Sequence, residues 1–202
     1  MKALRENKLV ELVGIVVVAL VLAFGIQWLL VKPYRIPSGS MEPTLDIGQR
    51  VLVDRLTPRF RDYERGDVVV FHPPVGADDA AEDVCGDPAQ PEGAPCDKAL
   101  PQQSGTTFIK RIIALPGDRL KVVDGHAIVN GKRQSDSYIA ACGGGDGCDL
   151  PKEITIPKGA IFMMGDNRGE SFDSRFWGPV PEGWVIGRAF ATYWPPNRIG
   201  GL

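Results

Sequence analysis

The chain has 202 residues, 23 of them Lys or Arg and 25 Asp or Glu, for a formal net charge of −2. That balance gives no reason to expect nucleic acid as a partner, which would call for a basic stripe. The length suits one membrane anchor and one domain of about 170 residues, large enough to bury most of its apolar surface.

Leu12 to Val31 reads LVGIVVVALVLAFGIQWLLV, with Gln27 its one strongly polar side chain. As a helix rising ~1.5 Å per residue, this run covers the ~30 Å hydrocarbon core of a bilayer. A cleaved secretory signal is the competing reading, since Lys2, Arg5 and Lys8 resemble a basic leader. The run is too long for an ordinary signal core, and Val31-Lys32-Pro33-Tyr34 offers no small-x-small cleavage site. The expected organisation is a short cytoplasmic N-terminus over 1–11, an uncleaved anchor over 12–31 and an extracytoplasmic domain over 32–202. Charge alone does not orient the anchor, because Lys32, Arg35 and Arg50 follow it closely.

Next comes Ile36-Pro37-Ser38-Gly39-Ser40-Met41-Glu42-Pro43-Thr44-Leu45. Proline fixes its own φ and pushes the preceding residue toward extended conformations, so two prolines stiffen this segment. Gly39, without a Cβ, lets another backbone approach. Such a segment can hold a serine hydroxyl fixed beside a polypeptide. The plainer reading is a Pro/Ser/Gly linker leaving the anchor.

β signals dominate the rest. Val51–Val53, Val68–Phe71 and Thr106–Leu115 are runs rich in β-branched residues. Leu120–Val123 and His126–Val129 flank Asp124-Gly125, a pair suited to a type I′ hairpin turn, and Asn130-Gly131 offers a second turn. Ile154–Ile156, Ile161–Met164 and Val185–Tyr193 are further strand candidates. The predicted fold is mainly β, a sandwich or partly open barrel. Residues 73–105 have little hydrophobic pattern and read as a surface insertion tied by Cys85 and Cys96. Cys142 and Cys148 lie in a glycine-rich loop. Two close pairs in loops predict two local disulfides and an oxidising compartment. A four-cysteine zinc site is the alternative, but neither pair has the usual ligand spacing.

A serine nucleophile needs a base. His72 precedes two prolines and His126 follows a hairpin turn, so both read as surface residues. No segment has the Gly-x-Ser-x-Gly or Ser-x-x-Lys pattern. Lys110 stands inside Phe108-Ile109-Lys110-Arg111-Ile112-Ile113 and, on a strand, shares a face with Phe108 and Ile112. Burial there would lower its pKa and make a neutral amine available as base. A lysine snorkelling outward along apolar surface is the alternative. A third cluster, Met163 to Arg175, holds the loop-ordering groups Asp166, Asn167, Ser171 and Asp173, with Arg168 and Arg175 able to pair with carboxylates.

Together these segments resemble the bacterial type I signal peptidases, the leader peptidase family. The matching boxes are Ser-Gly-Ser-Met at 38–41, Arg65-Gly66-Asp67, Lys110-Arg111 before Leu115-Pro116-Gly117-Asp118, and Gly165-Asp166-Asn167-Arg168 with Ser171, Asp173, Ser174 and Arg175. They occur in family order across nearly the whole exported domain. The family commonly has Asp-Asn where this chain has Gly169-Glu170. The resemblance implies a domain of two coiled antiparallel sheets and a Ser/Lys endopeptidase that removes signal peptides from secretory preproteins. By it, Ser40 is the nucleophile and Lys110 the base. Ser38 and the Ser40 N–H form the oxyanion hole, and Ser171 orients Lys110. Asp166, Asp173 and Arg175 brace the loop. Met41, Leu45, Phe108 and Ile109 would wall the −1 pocket, and Tyr34, Ile36, Val70 and Ile109 the −3 pocket. Neither metal nor cofactor is expected. Expected partners are preproteins, membrane lipid and the export machinery, at a bacterial cytoplasmic membrane crossed once.

Overall fold

The computed structural model describes residues 2–56, 60–78 and 84–202, with side chains throughout except at 2–7 and 26–29. The side chains of Lys2, Arg5 and Gln27, and residues 79–83 of the expected insertion, thus lie outside the described residues. Helix α1 spans Lys2–Leu30. Its stretch Lys8–Gly25 has a mean hydropathy of 2.4, and none of it is buried against the rest of the chain. A water-soluble helix would bury such a surface, so this one is built for an apolar surrounding. Val31, counted with the anchor by its hydrophobicity, instead opens strand β1 (Val31–Arg35), pairing with Asp54 of β2 (Arg50–Asp54). Pro33 lacks a donor and is tolerated because β1 is an edge strand.

The remaining strands are β3 (Val68–Phe71), β4 (Phe108–Ala114), β5 (Arg119–Val123), β6 (His126–Val129), β7 (Lys132–Arg133) and β8 (Leu150–Thr155). They are followed by β9 (Ala160–Met164), β10 (Val180–Pro181), β11 (Val185–Trp194) and β12 (Gly200–Gly201). A large sheet runs β1-β2-β11-β3-β4-β9-β10, with β12 beside β11, and a smaller one runs β7-β6-β5-β8. Neighbouring strands are antiparallel. β11 slips register against β2 and β3 at Val185/Gly187, Ala189/Ala191 and Thr192/Trp194. Such bulges add twist, and the large sheet coils.

Both faces of the large sheet are buried. On β3, Val68 and Val70 join Ile36, Met41, Leu45, Val51, Val53 and Ile109 on one side. Val69 and Phe71 join Ile112, Ile161, Met163 and Trp177 on the other, as the two-residue period of a strand requires. A third cluster, around Leu120, Val122, Ile156 and Phe162, joins the two sheets. The turns expected from sequence are present, with Asp124 at φ 51° and Asn130 at φ 53°, each followed by a glycine of positive φ.

The insertion departs from expectation. It is tied by the Cys85–Cys96 disulfide, but it also buries Ala77 and Val84 in the Trp177 cluster and Ala94 in the inter-sheet cluster. Cys96 N donates to Arg175 O at 3.0 Å. A few small apolar residues, too sparse to form a period, nonetheless fix the segment against the domain.

Candidate active site

Pro37 and Pro43 bracket a short 3-10 turn, Gly39–Met41, whose entry residue Ser38 is extended at φ −138°, ψ 161°. Glu42 N donates to Gly39 O at 3.0 Å and Leu45 N to Met41 O at 2.9 Å, so the backbone doubles back twice. This drives Met41 and Leu45 into the core, where both are fully buried, and leaves Ser40 at the surface of a cleft.

β4 approaches from the other side. Lys110 Nζ donates to Ser40 Oγ at 2.6 Å. Its ammonium also lies 5.7 Å from the centre of the Phe108 ring, on the face expected from strand alternation. Lys110 is 4% exposed. Burial therefore lowers its pKa to about 8; Asp173 and Asp166 pull upward against that, and Arg175 pushes further down. Ser38 Oγ lies 3.4 Å from Ser40 Oγ.

The loop after β9 locks the Ser40 turn from below. Asn167 N donates to Ser40 O at 3.1 Å, and Asn167 Nδ2 to Gly39 O at 3.3 Å. Any Cβ at Gly165 would collide with Ser40 O and Ser171 Oγ, so only glycine permits this approach. Asp173 accepts from Arg175 Nε at 2.8 Å and Nη2 at 2.9 Å, a two-pronged pair fully buried on both sides. Its second oxygen also takes Gly165 N at 2.9 Å. Arg175 Nη2 reaches on to the carbonyls of Arg168 and Ser171 at 2.7 and 3.0 Å. Arg168, expected to pair with a carboxylate, donates instead to the Gly165 and Gly125 carbonyls. Ser171 is 5% exposed, and its hydroxyl has no hydrogen-bond partner among the described residues, so the expected bond to Lys110 is not made.

Arg111 is a residue whose role the sequence left open. It grips Asp166 through Nε at 2.9 Å and Nη2 at 2.6 Å, while Thr44 Oγ1 donates to the same carboxylate at 2.5 Å. One carboxylate thus ties β4, the end of the serine segment and the β9 loop together. Its only sequence signal is adjacency to Lys110. The histidines lie elsewhere: His72 Nδ1 meets Thr106 O at 2.7 Å and His126 Nδ1 meets Asp136 Oδ2 at 2.8 Å.

The cleft, of about 390 Å³, is lined by Tyr34, Ile36, Ser38, Ser40, Val70, Phe108, Ile109 and Lys110. Of the expected pocket walls, Met41 and Leu45 alone are missing, for they pack beneath it with Ile36 and Ile109. Asp78 and Glu170 also line the cleft and were not singled out from sequence as cleft residues.

The family model described as signal peptidase, peptidase S26, matches residues 9–194. The chain belongs to that family. Similar signal peptidases include a probable signal peptidase I-2 of Synechocystis, 37% identical over 96% of this chain and 78% of its own. A signal peptidase I of Leptolyngbya laminosa is 34% identical over 98% and 85%, and signal peptidase IB of Staphylococcus aureus 30% identical over 94% and 92%. A solved signal peptidase I from Enterococcus faecalis aligns at 23% identity and a TM-score of 0.41, covering 63% of this chain and 97% of its own. As a signal peptidase of type I, this enzyme removes signal peptides from preproteins.

Proposed function

We propose that this signal peptidase cuts by a Ser/Lys dyad through an acyl-enzyme. The observation that carries the reading is the 2.6 Å contact between buried Lys110 Nζ and Ser40 Oγ. Neutral Lys110 removes the hydroxyl proton as Ser40 Oγ bonds to the scissile carbonyl carbon. The C–N bond then breaks, and Lys110 passes the proton to the leaving amine. Lys110 next takes a proton from water, which attacks the ester; the acid leaves and Ser40 regains its proton. The Ser40 N–H and Ser38 hydroxyl stabilise the oxyanion, where one donor typically contributes ~2.7–4 kcal/mol. Ser171 positions Lys110 once substrate excludes water, and Asp166, Asp173 and Arg175 hold the loop beneath.

The outer edge of β1 has no strand partner among the described residues, and Tyr34 lies on both that strand and the cleft wall. An extended substrate adds there as a strand, its alternate side chains entering the cleft at −1 and −3. Tyr34, Ile36, Val70, Phe108 and Ile109 leave room for small side chains only. Helix α1 anchors the enzyme once in the bacterial cytoplasmic membrane. The Cys85–Cys96 and Cys142–Cys148 disulfides fit a domain on the extracytoplasmic side, where preproteins arrive from the export machinery. Full-length enzyme in detergent micelles, given a preprotein with Ala at −1 and −3, tests this by mass spectrometry of the products. Cleavage directly after the −1 Ala, lost with Leu at either position, is the expected result. A trapped ester on any residue other than Ser40 would remove the dyad.

A further inference from the structure

Four charged side chains line the catalytic cleft: Arg35, Asp78, Lys110 and Glu170. Lys110 must be neutral to act as base, so in the working enzyme two carboxylates and one guanidinium carry the charge there. Arg35 stands on β1 between Tyr34 and Ile36, the walls of the proposed −3 pocket. Asp78 accepts from Ser104 Oγ at 3.0 Å, ahead of the start of β4 at Phe108. Glu170 is joined instead to the serine turn. Asn167 Nδ2 donates to Glu170 Oε2 at 3.1 Å and to Gly39 O at 3.3 Å. Glu170 is exposed, and no basic side chain pairs with it among the described residues.

An extended substrate with −3 beside Tyr34 and its scissile carbonyl at Ser40 leaves the cleft past Ser40, away from Tyr34. Of the lining residues, Glu170 and Phe172 come from the loop that holds the serine turn, so they border the mature side of the cut. Strand alternation then selects the position. Residues −3, −1 and +2 follow one another at intervals of two and share a face, whereas +1 points away. Two residues of strand advance ~6.6 Å, which carries the +2 side chain beyond Ser40 toward Glu170. Phe172, its ring stacked on Phe176 with centres 5.1 Å apart, adds apolar surface at that end of the cleft. A long basic side chain suits both features, laying its stem on the ring and its charge against the carboxylate. We propose that Glu170 sets specificity on the mature side, favouring preproteins with Lys or Arg at +2 and disfavouring Asp or Glu there. This inference rests on the substrate path proposed above.

The test is a competition assay on full-length enzyme in maltoside micelles, read by mass spectrometry. The preproteins carry Ala at −1 and −3 and differ only in Lys, Gln or Glu at +2, with a second series varied in the same way at +1. At +2, kcat/KM should favour Lys over Glu about fivefold or more, with Gln between them. At +1 the same exchange should change it less than about twofold, because that side chain faces away. Raised salt should shrink the +2 preference. Glu170→Gln keeps an oxygen for Asn167 Nδ2 while removing the charge, and should bring the Lys-to-Glu ratio close to one. Glu170→Lys should invert it. Glu153→Gln, in an exposed pair with Arg119, removes a charge elsewhere and should leave the ratio as it is. Equal processing of the +2 Lys and Glu preproteins, a preference that survives Glu170→Gln, or a larger effect at +1 than at +2 overturns the proposal. A normal cut after the −1 Ala without charge preference refutes this inference alone; a cut elsewhere refutes the substrate path and this inference with it.

Discussion

Lys110 Nζ stands 2.6 Å from Ser40 Oγ although 70 positions separate the two residues. A strand supplies one and a proline-bracketed turn the other, so the contact depends on the coiling of the large sheet. Ser40→Ala and Lys110→Ala should each lower preprotein processing by about four orders of magnitude while circular dichroism stays unchanged. Lys110→Arg should be equally inactive, since a guanidinium does not release its proton near neutrality. Rates for the purified full-length variants settle this, and near-normal turnover in any one refutes the dyad.

The pH dependence follows from the burial of Lys110, which sets its pKa at about 8. A general base must be neutral, so kcat/KM should rise with pH through about 8 and level above it. His72→Ala and His126→Ala should leave that midpoint in place; a midpoint near ~6.5 abolished by either would assign the base to histidine. The same depression affects stability. Between about 8 and the ordinary 10.5, Lys110 carries more protons unfolded than folded, so stability should rise with pH across that window. Lys110→Met, followed by chemical denaturation at both ends of the window, should lose that slope.

Much of this was legible in the chain. Alternation on β4 put Lys110 with Phe108, and the Asp124-Gly125 and Asn130-Gly131 pairs placed two hairpins. What escaped was decided by distant partners. The family resemblance made Met41 and Leu45 pocket walls, yet the turn at Gly39–Met41 sends them inward. Two-residue strands β10 and β12 carry no period to detect. The insertion looked superficial because contacts such as Cys96 N to Arg175 O use backbone, which composition does not reveal. The Arg111–Asp166 pair joins residues 55 positions apart and likewise has no local signature.

Gly165 is a sharp test of the loop beneath Ser40. Gly165→Ala places a methyl against Ser40 O and Ser171 Oγ, so the nucleophile's backbone must move. Since displacements near 1 Å cost about a hundredfold in positioned reactions, kcat should fall at least that far. Adding Ser171→Gly removes the side-chain clash but leaves the one with the carbonyl, so it should not restore the rate. Recovery in the double variant would show that the turn tolerates a shift.

The two disulfides should differ in consequence. Both close short loops, with separations of 11 and 6 residues, so each contributes less than the ~3 kcal/mol expected of a 15-residue loop. The Cys142–Cys148 loop nevertheless touches the site, for Gly147 O accepts from Arg175 Nη1 at 3.2 Å. A Cβ at Gly169 would also strike Cys142 O. Cys142→Ser/Cys148→Ser should therefore lower kcat several-fold at small cost in melting temperature. Cys85→Ser/Cys96→Ser should chiefly loosen the insertion, seen as faster proteolysis near residue 85. Equal kinetic effects from the two pairs would contradict this division.

Asp173 carries the heaviest load in the buried network. Asp173→Asn leaves the Arg175 guanidinium fully buried without its counter-charge, which costs about 3–5 kcal/mol. It also removes the charge that most strongly raises the Lys110 pKa and leaves Arg175 lowering it. The activity midpoint should consequently fall below about 8 in whatever protein remains folded. A purely structural role would lower stability without moving the midpoint. Asp173→Leu/Arg175→Met removes both charges and should regain much of the lost stability, because apolar replacement of a buried pair is often neutral. Activity should not return with it, since Gly165 N loses the carboxylate oxygen that holds it at 2.9 Å. Melting temperature and the pH profile, measured on both variants, separate the two roles: stability restored with activity still absent is the expected pattern.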